Sequence, residues 1–176
     1  MNIYLIGYRG SGKTTIARHL ATMLWWNWID ADSHLERQAG RTIREIFETD
    51  GEQGFRDLES RVVADLSLYS QLVIALGGGA VLRQENRSRI KASGKCVWLK
   101  ASPELLWSRI QADPTTTERR PNLTAQGGIE EVQRLLAERT PVYEECADLT
   151  VETDGRSPLA IATTIARWSE KELRLA

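Results

Sequence analysis

The sequence predicts an α/β fold built on a parallel sheet, and three observations carry that prediction. Short apolar runs alternate with stretches of helical periodicity along the chain, as strand–helix–strand crossovers require. The first apolar run, "NIYLIG" at 2–7, passes into the glycine-rich turn "GYRGSGKTT" and then into a helical pattern. The length, 176 residues, suits a single domain (1–176) with a core of useful size.

Taken in order, 2–7 reads as a buried first strand. Residues 13–24 place Ile16, Leu20 and Leu24 on one helical stripe. "WNWID" (26–30) is a short second strand. Residues 33–68 read as helical, with breaks at Gly40 and at 51–54. "LVIALGGG" (72–79) is a third strand running into glycines, and "CVWLKA" (96–101) a fourth, with Cys96 in its core. Ser102-Pro103-Glu104 then starts a helix, because serine caps and proline suits the first turn. The polar stretch 112–124 holds two prolines and a threonine run. Connections of that length in small domains often act as lids. A proline-interrupted helix (128–145), a fifth strand (148–153) and a final helix from 157 complete the chain. "WWNW" (25–28) is expected to pack beside the second strand, and Trp98 and Trp107 to be structural.

Net charge is −1 with 27% charged residues. That balance argues against a nucleic-acid partner, which calls for a basic excess. Cys96 and Cys146 are too few and too far apart for a disulfide framework or a cysteine zinc site, and a reducing, cytoplasmic setting fits. No stretch approaches the roughly 20 apolar residues of a membrane span, and the N-terminus carries no secretory pattern.

Gly7-x-x-x-x-Gly12-Lys13-Thr14 matches the phosphate-binding P-loop in full. Glycines let successive backbone N–H groups converge on a polyphosphate. The helix N-terminus that follows adds positive potential. Lys13 can reach the β- and γ-phosphates, and the Thr14 hydroxyl can ligate Mg²⁺, which prefers oxygen.

The acceptor side is less explicit. Asp30 and Asp32 end the second strand, and in an extended chain residues two apart face one side. One carboxylate can organise a Mg²⁺ shell while the other accepts a hydroxyl proton. A plain alternative is that Asp32 or Ser33 caps the next helix. Gly77-Gly78-Gly79 is entropically costly and makes sense where backbone comes close to a ligand. Arg56, Arg139 and the doublet Arg119-Arg120 offer forks for carboxylate or phosphate, but the pattern alone does not select them from the other arginines.

With these segments in place the chain resembles the shikimate kinases. The resemblance runs from about residue 3 to 168. It rests on the P-loop, "DAD" (30–32), "GRTIREIFETDGEQGFRDLE" (40–59), "LGGGAV" (76–81), "RRPNL" (119–123), "ERTPVYEECAD" (138–148) and "TDGRSP" (153–158). It implies a three-layer P-loop kinase fold: a five-stranded parallel sheet, helices on both faces and a mobile lid (about 112–124). A helical segment at about 33–61 would bind the acceptor. It implies transfer of the ATP γ-phosphoryl to the 3-hydroxyl of shikimate, in aromatic amino-acid biosynthesis, by a monomeric enzyme. Gly10, Ser11, Gly12, Lys13, Thr14 and Thr15 would cradle ATP. Thr14 and, through water, Asp30 would serve Mg²⁺. Asp32 would hold shikimate hydroxyls and act as base. Arg56 and Arg139 would hold the carboxylate, with Gly78 touching shikimate. Arg120, next to Pro121, would reach ATP from the lid, and Arg156 with Pro158 would line the adenine pocket. Two other readings stay open: a kinase for another carboxylated polyol such as gluconate, and a non-catalytic ATP-binding switch.

Overall fold

Alternation along the central strands divides the core in two. β1 (Asn2–Ile6) sends Ile3 and Leu5 to one face and Tyr4 and Ile6 to the other. β3 (Leu72–Ala75) and β4 (Gly94–Lys100) do the same, Val73 and Val97 opposing Ile74 and Trp98. A computed structural model describes residues 1–113 and 128–175. With β2 (Asn27–Asp30) and β5 (Leu149–Glu152), these strands form one parallel sheet in the order β2-β3-β1-β4-β5.

Helices cover both faces, giving three layers. α1 (Lys13–Leu24) and α7 (Pro158–Leu175) lie on one face, where Ile16, Leu20, Ile161 and Ile165 are fully buried. On the other lie α2 (Ala31–Ala39), α3 (Ile43–Leu66), α4 (Gln84–Ser93) and α6 (Gly128–Cys146), contributing Leu35, Ile46, Val63, Ile90 and Tyr143. Each such side chain contributes about 1.5–3 kcal/mol by leaving water. A smaller cluster at the carboxyl end of the sheet joins Leu106 and Ile110 of α5 (Pro103–Ala112) to Tyr8 and Val132.

Local chemistry sets the helix ends. Ser102 caps α5 and Pro103 fills its first turn, as expected. Thr42 and Glu45 form a capping box at the start of α3. The predicted breaks are real: Gly40 ends α2 in a left-handed conformation, and Gly51 interrupts α3 with φ 70°.

Three expectations change. Residues 80–93 carry no helical pattern in the sequence, yet they form a 3-10 turn (Ala80–Leu82) and α4. α4 buries little beyond Asn86 and Ile90, so its sequence carries no apolar stripe. The third strand stops at Ala75, and the glycines that follow lie outside it. Trp25 does not pack beside β2: it caps α1 with φ 59° and is 95% exposed. Trp28 is also exposed, with the Arg18 guanidinium 5.7 Å from its ring. Trp98 and Cys96 are buried in β4 as expected.

Candidate active site

Sequential strands leave β1 in opposite directions, to β3 on one side and β4 on the other. Open α/β sheets bind ligands at the carboxyl end of such a switch point. The loop after β1 lies there, flanked by two adjoining cavities.

The outer cleft, ≈ 440 Å³, is lined by Gly10, Gly12, Lys13, Thr14, Thr15, Asp30 and Asp32, together with Arg9, Arg109 and Asp113 among others. Gly12 sits at φ 87° and offers no side-chain cap to α1. The first N–H groups of α1 are thus left to a ligand rather than a side chain. Lys13 Nζ donates to the carbonyls of Gly7 and Tyr8 at 2.8 and 2.9 Å, holding the loop closed. Ser11 is buried beneath it, its Oγ 3.4 Å from that amine. Arg109 of α5 donates to the Gly10 carbonyl at 3.2 Å. Thr14 Oγ1 donates to Asp30 Oδ2 at 2.6 Å, so two hard oxygen donors already meet at the base of the cleft. That pair fits Mg²⁺, which takes few protein ligands and keeps waters and substrate phosphates.

Asp30 and Asp32 share the cleft for a reason other than strand alternation. β2 ends at Asp30, whose Oδ1 accepts from the Ser33 amide at 3.1 Å. Asp30, not Asp32 or Ser33, therefore caps α2, and Asp32 lies in the first helical turn. The helix start, not the pleat, turns Asp32 towards the second cavity.

That inner cavity, ≈ 60 Å³, is lined by Asp32, Arg56, Glu59, Gly77, Gly78, Gly79 and Arg139, with Tyr8, Arg9, Ile43, Phe47 and Phe55. It contains every residue expected to hold an acceptor. Arg56 of α3 is 11% exposed and donates to Glu59 Oε2 at 2.7 Å and to Glu52 at 3.3 Å. Arg139 of α6 is buried, 5.5 Å from the Tyr8 ring centroid. Two guanidinium groups beside an aspartate match a carboxylated polyol in charge and hydrogen bonding.

The glycine run has a more specific cause than close ligand approach. A Cβ at Gly77 would lie 2.7 Å from Glu59 Oε1 and 2.9 Å from Asp32 Oδ1. One at Gly79 would lie 2.6 Å from Arg56 Nη2. Gly78 is held by Tyr143, whose hydroxyl donates to its carbonyl at 2.5 Å. The run makes room for the site's own side chains.

Burial shapes the ionisation here. It raises the Glu59 carboxyl, against the opposing charges of Arg56 and Arg139. It pushes the Tyr143 hydroxyl up to about 12 and raises that of Tyr8. Both tyrosines stay neutral at physiological pH. Among the described residues, Glu59 Oε1 and the Tyr8 hydroxyl are buried without a hydrogen-bond partner, which costs free energy unless a polar group completes them.

Sequence reasoning missed Arg9, Arg109, Glu59 and Tyr143. Glu59 was in reach, lying three residues after Arg56 on one helix. Arg9 occupies a free position of the P-loop pattern, which says nothing of it. Arg156 and Pro158 line neither cavity; Arg156 is bound to Thr164 Oγ1 at 2.6 Å, at the start of α7. Arg119 and Arg120, with residues 114–124 of the proposed lid, lie outside the described residues.

Comparison with known proteins identifies the family. The shikimate kinase family model matches residues 9–170. The chain belongs to the shikimate kinase family. A shikimate kinase of Rhodopirellula baltica is 45% identical over 94% of this chain and 89% of its own length. One from Vibrio cholerae is 39% identical over 98% and 97%. The structure of a shikimate kinase from Acinetobacter baumannii, in complex with shikimate, superposes with TM-score 0.90 at 38% identity, covering 97% of this chain and 93% of that one. The fold expected from the resemblance, three layers around a five-stranded parallel sheet, is the one observed. Among the described residues, no helix is long and apolar enough to cross a membrane.

Proposed function

We propose that the outer cleft binds ATP, the inner cavity binds shikimate, and the γ-phosphoryl group passes to the shikimate 3-hydroxyl where the two meet. The observation that carries this is the shared wall: Arg9, Asp32 and Ile43 line both cavities. A phosphate chain on one side of that wall and an alcohol on the other are brought into contact without crossing solvent.

The roles follow from placement. The P-loop amides of Gly10 to Thr15 hold the phosphates, and Lys13 exchanges its loop carbonyls for phosphate oxygens. Thr14 and Asp30 hold Mg²⁺, which would neutralise phosphate charge. Arg56 and Arg139 grip the acceptor carboxylate, and Gly78 with Asp32 orients its hydroxyls. The bond from the γ-phosphorus to the β-bridging oxygen breaks and ADP leaves with that electron pair. A bond from phosphorus to the acceptor oxygen forms, and the hydroxyl proton goes to the Asp32 carboxylate. Positioning and charge neutralisation supply most of the acceleration, because phosphoryl transfer asks for little covalent help. Arg120 closing from a lid at 112–124, acceptor binding by the segment 33–61, and Arg156 with Pro158 at the adenine belong to the same proposal. So does action as a monomer in a reducing cytoplasm, which the two free cysteines suit.

An acceptor screen with ATP and Mg²⁺, reading ADP release and the phosphorus spectrum of the product, tests the proposal. Shikimate is expected to turn over, with the phosphate on its 3-oxygen. Turnover on gluconate but not shikimate, or ATP binding with no acceptor phosphorylated, would overturn it.

A further inference from the structure

Arg9 stands where the two cavities meet, and nothing in the P-loop pattern requires an arginine there. Its side chain is 9% exposed. Its contact with a carboxylate is a long one, Nη2 to Glu131 Oε1 at 3.5 Å, and Glu131 is itself 1% exposed. Its Nε is buried with no hydrogen-bond partner among the described residues. A guanidinium has five N–H donors in a fixed plane. Leaving that buried Nε unpaired is unfavourable unless an anion completes it.

Position identifies the anion. Arg9 lines the outer cleft with Lys13 and Thr14, and the inner cavity with Asp32 and Arg139. Its backbone nitrogen lies 3.6 Å from where a Cβ on Gly78 would be. A group there borders both cavities at once. We propose that Arg9 is a catalytic residue that donates to the equatorial oxygens of the phosphoryl group in flight, and that Glu131 is the positioning residue that aims it. This rests on the reading of the two cavities given above. Arg9 changes no bond and takes no proton; it neutralises charge that is densest midway between ADP and the acceptor oxygen. Its contacts with a resting ATP or a resting acceptor are weaker, so its effect falls on turnover rather than on binding. Glu131 reaches Arg9 from the first turn of α6, the helix that also carries Arg139. The carboxyl grip and the phosphoryl contact are thereby built on one rigid element.

The test compares Arg9→Lys, Arg9→Met and Glu131→Gln with the parent enzyme, with shikimate turnover by the parent as the control for the underlying reading. Arg9→Met is expected to lower kcat by ~10²–10³-fold, with both KM values within about threefold, as loss of one donor to a transition state does. Arg9→Lys keeps the charge but loses the fork, and should fall between. A readout independent of turnover is the complex with ADP, aluminium fluoride and shikimate. Its affinity should drop by ~10²-fold in Arg9→Met while ADP alone binds as before. Glu131→Gln should lower kcat less than Arg9→Met, and the double variant no further than Arg9→Met alone. A shikimate KM that rises while kcat holds would put Arg9 on the acceptor carboxylate and overturn the proposal. Equal losses of ADP and aluminium fluoride binding, or a fall in thermal stability with kcat retained, would make Arg9–Glu131 a structural tie and overturn it too. If the parent fails on shikimate, the reading of the cavities falls first, and separately.

Discussion

The two cavities are made from different materials. The outer one is centred on one segment: Gly10, Gly12, Lys13, Thr14 and Thr15 lie within a single loop and helix start, and what they offer is main-chain amides and a helix end. The inner one is drawn from the loop after β1, α2, α3, the turn after β3 and α6, and what it offers is mostly side chains. A backbone site is fixed once its loop folds. A side-chain site depends on packing between elements far apart in sequence, and each member holds another in place. Removing a phosphate-side group should therefore harm the chemical step, whereas disturbing an acceptor-side group should harm recognition. The largest expected effect is at Lys13. Lys13→Ala removes the charge beside the transferred group and should lower kcat by ~10³-fold, with shikimate KM within about threefold. Steady-state kinetics with both substrates varied decides it, and a kcat near that of the parent would break the contrast at its strongest point.

A smaller change on the acceptor side sharpens it. In Gly79→Ala the new Cβ meets the far end of Arg56, which is flexible and can move, rather than backbone. The fold should lose about 1–3 kcal/mol, as overpacking does when a buried partner must move. Arg56 can no longer lie where it bonds Glu59, so the shikimate KM should rise by about tenfold, the worth of one charge-assisted hydrogen bond. ATP KM should stay as it was. Thermal unfolding beside the two KM values separates these outcomes. A variant that weakens ATP instead would mean that the glycine run serves the phosphates.

The same difference explains what could be read from the chain alone. The P-loop was legible because nine adjacent residues carry the glycine loop and the helix start that follows it. Five apolar runs coincide with five strands, most plainly at β1, β3 and β4, which bury most of their own residues. α4 escaped because a helix resting on the sheet through Asn86 and Ile90 has almost no stripe to detect. Asp30 and Asp32 were placed at one site by an extended-chain argument, though a helix cap brings them there. Arg56 and Arg139 could not be told from surface arginines by composition. Only the resemblance chose them, and only packing brings them into one cavity with Glu59. Arg9 and Glu131, 122 residues apart, could not be paired by any local pattern.

Glu59 carries the comparison into stability. Burial raises its carboxyl above the ordinary range, and Arg56 offsets only part of that. The native protein then keeps the Glu59 proton to higher pH than the unfolded chain does. The stability this group contributes is complete below the usual glutamate range and is lost as pH rises through the native value. Glu59→Gln removes the titration, so unfolding free energy should decline less as pH rises above the usual glutamate range, and the variant should be at least as stable as the parent near pH 8. The amide still accepts from Arg56, but a neutral acceptor holds a guanidinium about half as strongly, so the shikimate KM should rise by roughly threefold to tenfold. Denaturant titrations across that pH range, with kinetics at one pH, test both halves. A variant that is less stable near pH 8 with an unchanged slope would make Glu59 an ordinary structural partner. A more stable variant that binds its acceptor worse would mean that the inner cavity is kept in order by a carboxylate the fold alone would do better without.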